Sequence, residues 1–95
     1  MKKTAIVILI LFAALAQTGV AQCIEGDCEN GYGKYTYTDG DLYEGYWLNG
    51  KRHGLGTYVY KEGDMYCGFW KQDEKFYFGA YYWENGDSYA GLWKD

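Results

Sequence analysis

The chain has almost none of the residues from which catalytic sites are usually built. Its 95 residues include no proline, a single histidine (His53) and a single serine (Ser88). A nucleophile, its base and an oxyanion hole need several such groups close together. We therefore expect no enzyme activity and no catalytic residue. The absence of proline also leaves every stretch free to form a strand that donates all of its backbone hydrogen bonds.

Basic residues are also scarce, with 9 Lys and Arg against 13 Asp and Glu and a net charge of −4. Nucleic-acid binding depends on Lys and Arg neutralising phosphates, so nucleic acid is excluded as a partner. One histidine and three scattered cysteines do not make a zinc site. Acids flank several glycines, as in residues 39–41 and 62–64, but such pairs are typical of tight turns and do not offer the six to eight oxygens that calcium takes. We expect no metal and no cofactor.

The only long apolar run is residues 5–16, which is shorter than the roughly 20 residues that span a bilayer. Lys2 and Lys3 precede it, and the small residues Gly19-Val20-Ala21 follow it. This order is typical of a secretory signal peptide. We predict a signal peptide over residues 1–21, cleavage near Ala21, and export to the periplasm, the outer envelope or the medium.

Three cysteines follow the apolar run. Cys23 and Cys28 are candidates for a local disulfide, because Gly26-Asp27 can form a turn between them, and Cys67 is left as an odd thiol. An alternative remains open, since residues 20–23 resemble a bacterial lipobox in which Gln22 replaces the usual Gly, Ala or Ser. Lipidation of Cys23 would give membrane association and would leave Cys28 and Cys67 as the remaining pair.

What the chain does have is a repeat of 23 residues. Tyr-x-Gly-x-Trp occurs at residues 43–47, 66–70 and 89–93, and glycines keep the same period at 33, 56, 79 and at 40, 63, 86. A period of about 20–50 residues marks an array of one supersecondary unit. The last copy stops halfway through a unit, so its final strand is expected either to pair with another molecule or to reflect shortening of a longer array.

Within one repeat the residues alternate as in a β-strand. Tyr43, Gly45 and Trp47 fall on one face, Asn49-Gly50 predicts a type I′ hairpin turn, and Gly56, Tyr58 and Tyr60 alternate again on the return. The pattern predicts an all-β fold, a single elongated antiparallel sheet of tandem hairpins arranged as a meander. The expected six strands lie near residues 33–38, 42–48, 55–61, 65–71, 77–83 and 88–94.

Residues 43–65 resemble the membrane occupation and recognition nexus (MORN) repeat almost position for position. The matching residues are Tyr43, Glu44, Gly45, Trp47, Gly50, Lys51, His53, Gly54 and Gly56. The next copy departs from the pattern at Asp73, Glu74, Phe76 and Tyr77. The resemblance identifies the chain as a small exported bacterial member, with a short Cys-containing segment over 22–30 and the repeats over 31–95. It implies a scaffold, a dimerisation module or a membrane-associating surface.

Aromatic side chains on one face of a lone sheet have no second layer to pack against, and large apolar patches mark contact sites. We therefore expect a non-enzymatic exported module of the cell envelope that binds a protein partner or itself, as a homo-oligomer. A membrane-associated module, or a cell-wall or glycan-binding module that stacks sugars on the rings, is the alternative. The candidate interaction face is Tyr35, Tyr37, Tyr43, Trp47, Tyr58, Tyr60, Tyr66, Trp70, Tyr81, Trp83, Tyr89 and Trp93.

Overall fold

The computed structural model describes residues 19–93, and within that range the chain forms one seven-stranded sheet and no helix. Each strand pairs antiparallel with its neighbours in sequence, so the sheet is a simple meander. The strands are β1 (Gln22–Gly26), β2 (Tyr32–Thr36), β3 (Leu42–Leu48), β4 (Lys51–Val59), β5 (Met65–Lys71), β6 (Glu74–Tyr82) and β7 (Ser88–Trp93). The predicted fold class is confirmed.

The strand count differs from the prediction, because β1 lies in the segment expected to be a short cysteine-containing lead-in. β1 pairs with β2, with Cys23 opposite Tyr35 and Gly26 opposite Gly33. All five of its residues are exposed. Because neither side of β1 is buried, its residues do not need to alternate between apolar and polar, and the sequence gives no strand signal there. The expected strands at 42–48 and 65–71 have the predicted bounds.

β4 and β6 begin earlier than expected, because the hairpin turns are only two residues long. Asn49 and Gly50 have φ of 52° and 77°, the positive values that a type I′ turn requires, so Lys51 already pairs with Leu48. The register then shifts between Gly45 and Trp47, where Gly54 adopts a φ of 76°. A bulge of this kind increases the twist of the sheet.

A row of glycines crosses all seven strands of the sheet. The successive cross-strand partners are Gly26, Gly33, Gly45, Gly56, Gly68, Gly79 and Gly91. A side chain at Gly56 would collide with the ring of Tyr43, and one at Gly79 would collide with Tyr66. The tyrosines lie flat over the glycines, the packing called aromatic rescue.

We call the side of the sheet that carries these rings the aromatic face. It holds the buried core, which consists of Tyr43, Trp47, Tyr58, Tyr66 and Trp70. The other side, which we call the opposite face, carries residues such as Tyr46, Leu55 and Phe78, about half of whose surface is exposed. One face of the single sheet is therefore packed and the other is open.

The predicted signal peptide over residues 1–21 lies, up to residue 18, outside the described residues. β1 begins at Gln22, immediately after the predicted cleavage site. Among the residues that the structure describes, none belongs to a helix long and apolar enough to cross a membrane.

Candidate functional site

The aromatic face is organised around a column of alternating Trp and Tyr rings. Consecutive rings meet edge to face at interplanar angles of 84–89°. The centroid distances are 5.0 Å for Trp47–Tyr43, 5.5 Å for Tyr43–Trp70, 5.1 Å for Trp70–Tyr66, 5.5 Å for Tyr66–Trp93 and 5.7 Å for Trp93–Tyr89. Tyr43 and Tyr66 therefore each pack against the tryptophan of their own repeat and that of the next, whereas Tyr89 packs against Trp93 alone.

Hydrogen bonds to the backbone hold the polar ends of these rings except at Trp93, whose buried Nε1 has no partner among the described residues. The hydroxyl of Tyr43 donates to the carbonyl of Tyr46 at 3.0 Å, and Trp47 Nε1 donates to the carbonyl of Gly33 at 3.1 Å. Tyr66 and Trp70 repeat both bonds one period later. Burial raises the pKa of Tyr66 to about 12, so its hydroxyl stays protonated and donating at neutral pH.

The acidic residues after the first two turn glycines, Asp41 and Asp64, each tie one hairpin to the next. Asp41 is buried, and its carboxylate accepts from the Tyr58 hydroxyl at 2.7 Å and from the Lys61 backbone N–H at 2.8 Å. Asp64 accepts from Tyr81 and from the Glu84 N–H in the same way. Burial, together with the bond to Asp41, raises the pKa of Tyr58 well above its usual range. These acids therefore have a structural role in the repeat.

Two cations that the sequence analysis did not single out lie over the aromatic face. The Arg52 guanidinium carbon is 4.7 Å from the Trp70 ring centroid and 5.1 Å from that of Tyr58, while Arg52 Nε is 3.0 Å from Asp73 Oδ1. Lys75 Nζ lies between 5.2 and 5.9 Å from five ring centroids and bonds to the Tyr60 hydroxyl at 2.9 Å. Positions 52 and 75 are one period apart, which is the signal that could have revealed them.

All twelve predicted face residues belong to this aromatic face, but they are not equally accessible. Five of them form the buried core, Trp83 and Tyr89 are 42% and 44% exposed, and the others are half-buried. Tyr89 differs from Tyr43 and Tyr66, which are fully buried, because no further strand covers it within the described residues. The use of this face for interaction stays a prediction.

The predicted disulfide is present between Cys23 and Cys28. The Cys28 sulfur packs over Gly33, the place that Tyr43 and Tyr66 take over the next glycines of the row. In the first repeat the disulfide therefore covers the row glycine in place of a tyrosine, because the residue one period before Tyr43 is Val20. Lipidation of Cys23, the alternative to this pairing, stays a prediction.

The opposite face carries a feature that the sequence analysis missed, a ridge of large apolar side chains. It contains Tyr32, Tyr46, Leu55, Phe69, Phe78 and Leu92, paired across strands as Tyr32–Tyr46, Leu55–Phe69 and Phe78–Leu92. Five of the six are 47–62% exposed. The signal in the sequence was a large apolar residue beside each row glycine from Gly33 to Gly91, at positions 32, 46, 55, 69, 78 and 92.

Beside the ridge runs a shallow channel floored by the glycine row. Its other wall consists of Glu44 and the small side chains Thr57, Cys67 and Ala80, and the groove has a volume of about 500 Å³. Cys67, the predicted odd thiol, is free and half-buried here, with its sulfur 3.1 Å from the Thr57 hydroxyl. Over residues 19–93 no group of three or more His, Cys, Asp or Glu side chains could hold a metal.

These observations define a tandem β-hairpin repeat protein with one self-packed aromatic face and one open apolar face. The MORN repeat family matches residues 29–42, 43–65 and 66–88, and the chain belongs to that family. No curated protein matches the chain. Membership of this family indicates a protein–protein or membrane-associated module.

Proposed function

We propose that the chain is an exported, non-enzymatic module of the cell envelope that acts by protein–protein contact, and that its first partner is a second copy of itself. The observation that carries this proposal is the exposed ridge on the opposite face. Leu55 and Leu92 alone are 53% and 62% exposed. A sheet normally buries its apolar side against another layer, and this face has none within the described residues.

The size of the opposite face supports a second copy as its cover. Seven strands spaced about 4.8 Å apart, each about seven residues long, present roughly 700 Å². A stable interface buries about 800 Å² on each partner. Two such faces stacked about 10 Å apart would thus come close to a standard interface.

The shape of the opposite face also supports a second copy as the partner. A ridge of large side chains lies beside a channel walled by Glu44, Thr57, Cys67 and Ala80. A half-turn about an axis between the two features places the ridge of each copy in the channel of the other. This is the self-complementary arrangement that two-fold symmetric dimers use.

Sedimentation of the oxidised protein across a concentration series tests the proposal. We expect a dimer whose dissociation constant rises at least tenfold in Leu55→Lys or Phe78→Lys, because each places a charge on the ridge. Trp83→Lys is the matched control, since Trp83 is similarly exposed but lies on the aromatic face, and it should leave the dimer intact. A protein that stays monomeric at high concentration refutes self-association.

The same variants separate a protein partner from a lipid surface. If the ridge inserts into membranes, the wild-type protein co-sediments with phosphatidylcholine vesicles and Leu55→Lys does not. That result, with no dimer, would replace the protein partner by a membrane. Export is tested separately by the mass of the secreted protein, which should begin at an unmodified Gln22 and carry a Cys23–Cys28 disulfide.

A further inference from the structure

The aromatic face contains a cleft in the first repeat. In the second and third repeats the equivalent places are filled by cations of the chain itself. Arg52 lies over Trp70 and Tyr58, and Lys75 lies over Trp70 and the rings around it. A cation over an aromatic ring is attracted by the negative charge of the ring face. In these two repeats a cation of the chain itself therefore occupies the space over the rings.

The residue one period before Arg52 is Glu29, so the charge at this position is reversed in the first repeat. The backbone there is placed in the same way. The Gly50 N–H donates to the carbonyl of Glu29 at 3.0 Å, just as the Asp73 N–H donates to the carbonyl of Arg52 at 3.0 Å. The backbone of Glu29 therefore has the same place in the first repeat as the backbone of Arg52 has in the second, where the Arg52 side chain lies over the rings.

The rings beside Glu29 match those beneath Arg52. Tyr35 and Trp47 are one period before Tyr58 and Trp70, and their centroids lie 5.6 Å apart, with Tyr37 tilted against Tyr35 at 4.9 Å between centroids. Together with Glu29 they line a cleft of about 270 Å³. Two of the three rings beneath Arg52 therefore have counterparts here, no cation occupies position 29, and Tyr37 is shared with Arg52, whose guanidinium carbon lies 5.6 Å from its centroid.

The charges around the cleft favour a positive guest. Arg52 forms part of the lining, but its guanidinium is held by Asp73 through both Nε and Nη2. The exposed carboxylate of Glu29 has no such partner among the described side chains. A hard metal ion prefers a set of oxygen ligands and gains nothing from three aromatic rings. A small organic cation gains from both the rings and the carboxylate.

We propose that the cleft formed by Tyr35, Tyr37, Trp47 and Glu29 binds an organic ammonium cation. The guest is an alkylammonium or a quaternary ammonium group of the size that Lys75 places among its own rings. The site lies on the aromatic face and does not depend on self-association through the opposite face. Because only a few contacts are made, we expect dissociation constants in the millimolar range.

Titration of the ¹⁵N-labelled protein with butylammonium or tetramethylammonium chloride, followed by NMR, tests this site. We expect saturable shifts centred on the indole N–H of Trp47, and the stronger of the two probes distinguishes a lysine-like from a choline-like guest. tert-Butanol, a neutral molecule of similar size, should give no saturable shift. Shifts that rise linearly, or that tert-butanol reproduces, overturn the proposal.

Two substitutions of the exposed Glu29 sharpen the test without disturbing the core. Glu29→Gln should weaken binding at least threefold. Glu29→Lys should abolish it, because the new side chain fills the cleft as Lys75 fills its own. Glu44→Gln removes a carboxylate from the opposite face and should leave binding unchanged. Wild-type affinity in Glu29→Lys, in a protein whose spectrum is otherwise native, refutes the site.

Discussion

At the scale of single residues, the tightest constraint is the missing side chain of the row glycines. Gly56 lies directly beneath the Tyr43 ring, which is fully buried and cannot move aside. Gly91 lies beneath Tyr89, whose ring is 44% exposed. A side chain added in the middle of the row therefore meets a rigid ring, whereas one added at its β7 end meets a movable ring.

We predict that Gly56→Ala lowers the free energy of unfolding by about 1–3 kcal/mol, the usual cost of overpacking a core. Gly91→Ala is the matched control and should cost much less, because the Tyr89 ring can swing towards solvent. Urea denaturation followed by circular dichroism measures both. Equal losses at the two positions would show that the rings do not set the constraint.

At the scale of the element, the β5–β6 hairpin is strained where the β3–β4 hairpin is not. Gln72, Asp73 and Tyr77 adopt φ of 49°, 71° and 65° at positions that Asn49, Gly50 and Gly54 fill one period earlier. Left-handed backbone costs an L-residue roughly 1–2 kcal/mol. Asp73 has a compensating role, since it accepts hydrogen bonds from Arg52, whereas Tyr77 is 58% exposed.

We predict that Tyr77→Gly raises the free energy of unfolding by about 0.5–1 kcal/mol, because the relief of strain exceeds the added entropy of the unfolded chain. Phe76→Gly, at a neighbouring exposed residue whose φ is not positive, is the control and should lower stability. Thermal unfolding of both variants provides the comparison. A decrease for both would contradict the assignment of strain to position 77.

The disulfide between Cys23 and Cys28 stabilises the first hairpin. Cys23 and Cys28 close a short loop, for which the chain-entropy argument gives about 2 kcal/mol. We predict that reduction, or Cys28→Ser, lowers the free energy of unfolding by about this amount. Cys67→Ser should leave it nearly unchanged, because Cys67 is not bonded to another cysteine. A larger effect of Cys67→Ser would contradict the pairing.

The sequence predicts an element well where alternation and turn signals agree. β3 and β5 were placed correctly because Tyr, Gly and Trp alternate along them between glycine-containing or charged turns. β1 carries no alternation, since both of its sides face solvent, and it was missed. Arg52 and Lys75 were missed because a cation next to a turn looks like a solvated residue until the fold brings rings from three strands beneath it.

At the scale of the whole molecule, buried and half-buried tyrosines link stability to pH. Burial raises the pKa of Tyr37, Tyr66 and Tyr81 to about 12, whereas the value in an unfolded chain is about 10. The folded state therefore holds these protons more tightly than the unfolded state. Their contribution to stability is complete below about pH 10 and is lost as the pH rises towards about 12.

We predict that the sheet unfolds cooperatively between about pH 10 and 12, with the loss of circular dichroism coinciding with tyrosinate absorbance. Unfolding free energies measured in urea at a series of pH values should stay constant below about pH 9.5 and then fall. Tyrosines that all ionise near pH 10 while the sheet persists would contradict this coupling.

The column of Trp and Tyr rings has an optical consequence. Tyrosine emission overlaps tryptophan absorption, and every tyrosine of the column touches at least one tryptophan at 5.0–5.7 Å between centroids. Light absorbed by those tyrosines is therefore passed to the indoles before it can be emitted. Because each of these tyrosines also touches the tryptophan of its own repeat, the reappearance of tyrosine fluorescence reports that the repeats themselves have unfolded.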